Sequence, residues 1–399
     1  ASRNDRSTEL DLFCRFSMRL ILKLVSTACF VSSVASPASA QGLKPATPES
    51  QGVRSEGLRE MSEWVRAEGH DIRSLIVLRN GKLILEWYAG DVDPKMNHNV
   101  FSITKSVVST IAGKVLVEES SHHVDVTVGE VLDFDGEFEN ITLENLLTMR
   151  SGLPQSRANL SSGPARELFD RIAAAPDRLA DIASLEPIHP VGNVFSYSNI
   201  EPQLVSAMIE QVSNDRIVDV ATRVLFQPLG FKGAQWVSAD QAGRLPGGYG
   251  LRLRPIDMAK LGQLFLQGGN WEGRQILPAK WVLDSVTDQT GSHYGYYWWT
   301  GIVGGKSFAA KGVRGQQLLV VPEKKLVFVV TADLPPQRVK EILSELNRNH
   351  LLASIDSAEA LPENPIALEA LKKEIDEAAS YRPENRNGLP PLRLPQFPE

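Results

Sequence analysis

Cysteine is nearly missing from this 399-residue chain: Cys14 and Cys29 are the two present, and both fall in the first 40 residues. Everything after residue 40 therefore excludes a disulfide framework, an iron–sulfur cluster and a thiol nucleophile. Histidine is also sparse, at seven residues. His122 and His123 are the one close pair, but adjacent residues point apart on a helix and no H-E-x-x-H spacing exists. No catalytic metal is expected. There is no positive surplus, since Lys+Arg 42 against Asp+Glu 48 leaves −6. Phosphate-backbone binding draws on Lys and Arg, so a nucleic-acid partner is not expected either. Long apolar runs are absent too: Leu24 to Val34 falls short of the roughly 20 residues a membrane span needs. No repeat of 20–50 residues is visible, which argues against solenoids and propellers.

What is present begins with an export pattern. Residues 1–17 precede a start-like Met18, followed by the basic Arg19 and Lys23, the apolar stretch to Val34 and an A-x-A site at Ala38-Ser39-Ala40. Met18 to Ala40 therefore reads as a signal peptide with Gln41 as the mature N-terminus, implying a periplasmic or secreted protein. Ser26-Thr27-Ala28 lacks the aliphatic residue expected before a lipid-bearing Cys29, so stable membrane attachment is not expected.

Ser55 to Gly69 carries helical spacing through Leu58, Met61, Trp64 and Val65, stopped by Gly69. Ser74 to Tyr88 reads as a hairpin turning at Asn80-Gly81, the strongest short turn signal. Ser102 to Glu118 is helical, with a stripe at Val107, Val108, Ile111, Val115 and Leu116. Residues 120–245 show helical segments (Leu143–Thr148, Ala165–Ala175, Ile200–Val212, Ile217–Leu225) between Gly/Pro loops. Strands return at Phe308–Ala310, Gln317–Val321 and Leu326–Thr331, with a turn at Pro322 to Lys325, and Gln337 to Leu352 reads as an amphipathic helix. Strands at both ends around a helical middle predict one α/β domain (41–119 and 246–353, discontinuous) interrupted by an all-helical domain (120–245). Residues 354–399 hold seven prolines and are expected to form a surface-wrapping or loose extension.

Three short segments could carry chemistry. Ser102-Ile103-Thr104-Lys105 is an S-x-x-K at a helix start. Residues i and i+3 share a helix face, so the Lys105 amine can reach the Ser102 hydroxyl, and free N–H groups of the first turn favour a developing oxyanion. Alone the motif is also a capped, solvated turn, but its helix looks buried, and a desolvated lysine is a better base. Tyr197-Ser198-Asn199 precedes the helix from Ile200. Tyr197 can relay a proton and Asn199 can donate to a substrate carbonyl; the plainer reading is a turn with an N-cap asparagine. Lys311-Gly312-Val313-Arg314-Gly315-Gln316 places glycines where another chain can approach a strand, or where a hairpin bulges.

Together, in this order, the three segments resemble the serine β-lactamase and penicillin-binding-protein superfamily. The closer resemblance is to the class C-like esterase and 6-aminohexanoate-dimer hydrolase branch. It is carried further by Ile141 to Thr148, Ser151-Gly152-Leu153-Pro154, Gly247-Gly248-Tyr249-Gly250-Leu251-Arg252 with Asp257, and Gly315-Gln316 leading to Val321-Pro322. It covers roughly residues 45–350. The resemblance implies an antiparallel sheet flanked by helices beside an inserted all-helical domain, with the active site between. It implies Ser102 as nucleophile, Lys105 as its base, Tyr197 as second proton-transfer group, and the N–H groups of Ser102 and Val313 as oxyanion hole. Asn199, Gly312, Lys311 and Arg314 are the candidate substrate contacts. One departure stands out. Counting back from Val321-Pro322 puts Ser307-Phe308-Ala309 where the superfamily has Lys-Thr-Gly, and either Lys311 or Arg314 could replace that cation.

Gly301 to Ser307 imitates a phosphate-binding loop but is one residue short, and a strand rather than a helix follows. Tyr294-Gly295-Tyr296-Tyr297-Trp298-Trp299 is expected to be a core strand, one face of which could wall a cleft. The sequence thus predicts a cofactor-independent serine hydrolase acting on a small-molecule ester or amide. A β-lactamase or D-amino-acid peptidase, and a non-catalytic penicillin-recognising protein of the same fold, are the rivals. The oligomeric state is not encoded in any feature of the chain.

Overall fold

The computed structural model describes residues 42–90 and 92–383. The export segment, both cysteines, Gln41 and the tail from residue 384 lie outside the described residues. The main sheet has seven strands in the order β1 (Lys44–Pro45), β3 (Lys82–Tyr88), β2 (Ile72–Arg79), β12 (Leu326–Ala332), β11 (Gln316–Val321), β10 (Phe308–Gly312) and β9 (Trp299–Thr300). All neighbours are antiparallel except the parallel edge pair β1–β3. The β2–β3 hairpin turns at Asn80 and Gly81, both at positive φ (51° and 74°), the geometry two-residue hairpins need. A three-stranded sheet joins β4 (His98–Asn99), β6 (Leu251–Leu253) and β5 (Gln235–Trp236), and β7 (Asn270–Trp271) pairs with β8 (Arg274–Gln275).

Twelve α-helices accompany these strands among the described residues: α1 (Ser55–Ala67), α2 (Ile103–Ala112), α3 (Val128–Leu132), α4 (Leu143–Leu147), α5 (Pro164–Ala174), α6 (Arg178–Ala183), α7 (Ile200–Ser213), α8 (Ile217–Ala221), α9 (Pro255–Leu266), α10 (Ala279–Ser285), α11 (Val339–Glu345) and α12 (Pro365–Ala378). The central strands read as continuous apolar runs because both sheet faces are covered, and successive side chains go to opposite sides. Leu75, Val77, Leu319, Phe328 and Val330 join α1, α11 and α12 in an outer core. Ile76, Leu78, Leu318, Val320, Val327 and Val329 join α2, α7 and α9 in an inner one. Gly262 lets α9 lie close on the sheet, since a Cβ there would come within 2.6 Å of Val327.

Two expectations change. The segment after residue 354 is not wholly loose: α12 starts on an Asn364 cap with Pro365 at its first position and buries Ala367, Leu371, Glu374 and Ala378. Proline at a helix start is tolerated because that N–H has no helical partner, so the proline count misled. The aromatic run is mostly irregular loop, with strand only from Trp299. Tyr297 takes a positive φ of 62°, which breaks the period-2 pattern, while Tyr294, Tyr296, Tyr297 and Trp298 are buried as expected.

Candidate active site

Ser102 is placed by a sharp strand-to-helix turn. β4 pairs with β6, and the Val100 N–H donates to Leu251 O at 3.1 Å. Phe101 then adopts φ 47°, a left-handed conformation that costs a non-glycine residue about 1–3 kcal/mol and must be held by its surroundings. It is held: Asn99 Oδ1 accepts from the Phe101 N–H at 3.0 Å, and Thr104 Oγ1 donates to Phe101 O at 2.6 Å. Ser102 lands at the N-cap of α2, yet its hydroxyl makes no cap bond. It is turned instead to Lys105, one helical turn on.

Lys105 is 1% exposed. Its Nζ lies 3.2 Å from Ser102 Oγ, 2.7 Å from Asn199 Oδ1 and 3.0 Å from Gly248 O. Burial, with the Arg157 charge adding and Glu201 opposing, brings its pKa down to about 7. A neutral amine has two hydrogens and one lone pair. Asn199 Oδ1 and Gly248 O cannot donate in this geometry, so they take the two hydrogens. The lone pair is left for the Ser102 hydroxyl proton.

Tyr197 is half-buried against the inner core, and its hydroxyl interacts with Ser102. Burial pushes its pKa up to about 12, so it stands there as a phenol that can pass a proton and not as a phenolate base. Its ring stacks on Trp299 at 5.6 Å, meets Tyr294 edge-on at 6.0 Å, and has Lys105 Nζ 5.0 Å from its centroid. Phe195 completes this aromatic wall, 5.3 Å from Tyr294.

Asn199 stands at the N-cap position of α7, but its side chain makes no cap bond and is used elsewhere. Its Oδ1 accepts from Lys105 and its Nδ2 donates to Ser156 O at 3.1 Å. The side chain orients the lysine, and the amide keeps a second Nδ2 hydrogen beyond the one given to Ser156.

The strand β10 brings Gly312 against the nucleophile's turn. A Cβ at Gly312 would come within 2.4 Å of Val100 O, so glycine is required for the approach. The Val313 N–H follows at the strand end. This corrects the counted register. Gly312 pairs with Gln316 across a tight turn, so Ala310-Lys311-Gly312 lies beside Ser102. Ser307-Phe308-Ala309 is at the other end of β10, roughly 16 Å from Gly312 at strand rise. Lys311 Nζ sits 5.9 Å from the Trp299 ring, with no acidic side chain in ion-pair range among the described residues. Burial lowers its pKa. Arg314, at φ 65°, ion-pairs with Asp333, so its charge already has a partner within the protein.

Several residues of the site had no site role in the sequence reading. Gly248 supplies a lysine acceptor, and a Cβ there would sit 2.7 Å from Asn199 Oδ1. Gly247 lets the loop touch α7, where a Cβ would meet Pro202 O at 1.9 Å. The adjacent glycines were the available signal. Arg157 (5.9 Å from the Tyr197 ring) and Glu201 had none.

The family model described as Beta-lactamase matches residues 66–350. The chain is similar to the 6-aminohexanoate-dimer hydrolase of Paenarthrobacter ureafaciens, 22% identical over 317 residues covering 73% of this chain and 80% of that one. Among solved structures it resembles the class C beta lactamase from Rhodobacter sphaeroides (TM-score 0.56, 20% identity, covering 74% of this chain and 99% of the other). It also resembles EstCE1, a hydrolase with promiscuous acyltransferase activity (TM-score 0.58, 16% identity, covering 72% and 98%). At these identities the structural likeness speaks to the fold.

Proposed function

The chain belongs to the beta-lactamase family, and from that premise we propose that it cleaves an ester or amide bond through an acyl-enzyme on Ser102. The observation that carries the reading is the buried Lys105 amine 3.2 Å from Ser102 Oγ, beside two carbonyl acceptors, Asn199 Oδ1 and Gly248 O, that can take its hydrogens. Lys105 takes the hydroxyl proton as Ser102 Oγ attacks the carbonyl carbon. The oxyanion rests on the N–H groups of Ser102 and Val313. The proton returns through Tyr197 to the leaving oxygen or nitrogen, and the carbonyl re-forms as an acyl-serine. Water enters by the same relay: its proton goes to Lys105, its oxygen to the acyl carbon, and Ser102 regains its hydrogen as the acid departs. The Phe195, Tyr197, Tyr294 and Trp299 wall favours an apolar acyl or leaving group, and Lys311 stands beside it as the cation available to an anionic group on the substrate.

The test is turnover of a chromogenic short-chain ester, a cephalosporin and a linear amide dimer in parallel. Intact mass after a fluorophosphonate is then compared in wild type and Ser102→Ala. One adduct in the wild type and none in the variant supports the reading, and an adduct in both overturns it. Acylation by the cephalosporin without release would instead favour a penicillin-recognising protein. We also propose export, with Gln41 as the first mature residue. N-terminal sequencing of material from periplasm or medium decides it, and recovery from cytoplasm with Met18 to Ala40 attached would refute it.

A further inference from the structure

The proposed reaction uses Ser102, Lys105 and Tyr197 but leaves one buried ionisable group unexplained. Glu201 lies in the first turn of α7, two residues beyond the lysine's acceptor Asn199, and is 1% exposed. Its Oε1 accepts from Ser151 Oγ at 2.8 Å, while Oε2 is buried without a hydrogen-bond partner. An isolated carboxylate in such a place is costly and stays only where something uses or neutralises it. No cation touches it. The charged or ionisable groups that interact with it are Lys105 from α2 and Tyr294 and Tyr297 from the aromatic loop; Ser151 and Ser198 are its hydroxyl neighbours. The Tyr297 hydroxyl is also buried without a partner, and burial outweighs the hydroxyls and the backbone N–H that favour a Glu201 anion.

We propose that Glu201 is a positioning residue that shares one proton with Lys105, keeping the lysine a free amine when the proton sits on the carboxyl. This rests on the reading of Lys105 as the base. The geometry explains the preference. The two groups make no direct hydrogen bond, so the charge-separated form gains no contact pair, while burial disfavours each charge on its own. Burial brings both groups into one titration range, Lys105 down to about 7 and Glu201 up to about 7, so they titrate as a pair. As an anion, Glu201 raises the affinity of Lys105 for a proton. Removing the anion must therefore lower it.

The experiment is the pH dependence of Ser102 acylation by a fluorophosphonate, followed by intact mass, in wild type, Glu201→Gln and Ser151→Ala. Glutamine keeps the shape and an acceptor for Ser151 but cannot ionise. The acid limb of the rate should move to lower pH by about one unit in Glu201→Gln. In Ser151→Ala it should move in the same direction by less, because losing that donor favours the neutral carboxyl. If Glu201→Gln does not fold, the Ser151→Ala shift carries the test. An unmoved limb with a lower plateau makes Glu201 a purely structural residue and overturns the proposal, as does a shift to higher pH. No adduct in wild type at any pH overturns the nucleophile itself, a distinct outcome.

Discussion

Two buried-charge sites on either side of the main sheet, one at Glu374 and one at Lys105 and Glu201, are built in opposite ways. On the outer face, Glu374 of α12 is 4% exposed and fully answered: Arg66 reaches it through Nε at 2.8 Å and Nη2 at 2.7 Å, and Ser62 Oγ donates at 2.6 Å. Ser62 in turn accepts from Trp87 Nε1 at 2.8 Å, so the network closes and ties α12 to α1 and the sheet. Nearby, Arg73 and Arg314 converge on Asp333. On the inner face, Lys105 and Glu201 are as deeply buried but meet only hydroxyls, an amide and a carbonyl. Paired charge there would be inert. Unpaired charge is held near its neutral form, which is what proton transfer at neutral pH requires. The comparison separates scaffold from chemistry by physical state rather than by residue type.

The largest expected effect tests the inner face. Ser102→Ala should lower kcat/KM on the best ester by about 10⁴-fold or more, with the melting temperature little changed. Full activity would remove Ser102 from the mechanism. Next, Lys105→Arg keeps a cation but no deprotonated form, since guanidinium does not titrate in this range. Its loss should match that of Lys105→Ala, and retention of most activity would make Lys105 a fixed charge. Tyr197→Phe removes one hydroxyl from the relay and should cost roughly 10²–10⁴ in rate, read as kcat on the same ester.

A pH series sharpens the contrast further. The base must be unprotonated, so kcat/KM should rise with pH through about 7 as Lys105 loses its proton, and the limb should stay in place in active variants that leave Lys105 and Glu201 untouched. The smallest effect belongs to the outer face. Glu374→Gln breaks the closed network and should cost about 1–3 kcal/mol of stability by denaturant titration, while fluorophosphonate labelling of the folded protein proceeds at the wild-type rate. Slowed labelling would show that the two faces are coupled and that the comparison fails.

Much of the scaffold is legible because its signals are local. The Asn80-Gly81 turn, the spacing of Leu58, Met61 and Val65, and the apolar run through Leu326 to Thr331 each follow from residues only a few positions apart. The α12 helix was hidden because a proline-rich composition outweighed Asn364 and Pro365, which together are a helix start. The β10 register was misjudged because a count from Val321 cannot see that the chain turns tightly between Gly312 and Gln316.

The sequence by itself determined the pair Ser102 and Lys105, since three residues along a helix bring two side chains to one face whatever the rest of the protein does. It also determined the two-sided apolar strands, since period-2 geometry is a property of the chain. Only the tertiary structure decided how Lys105 is held, because its acceptors Asn199 and Gly248 lie 94 and 143 residues away. Only packing could assign Arg314 to Asp333 and leave Lys311 open. Only burial could turn Glu201 from a surface-type residue into a group that titrates near neutrality. Charge state depends on the surrounding dielectric and on distant partners, and neither is written in the spacing of residues along the chain.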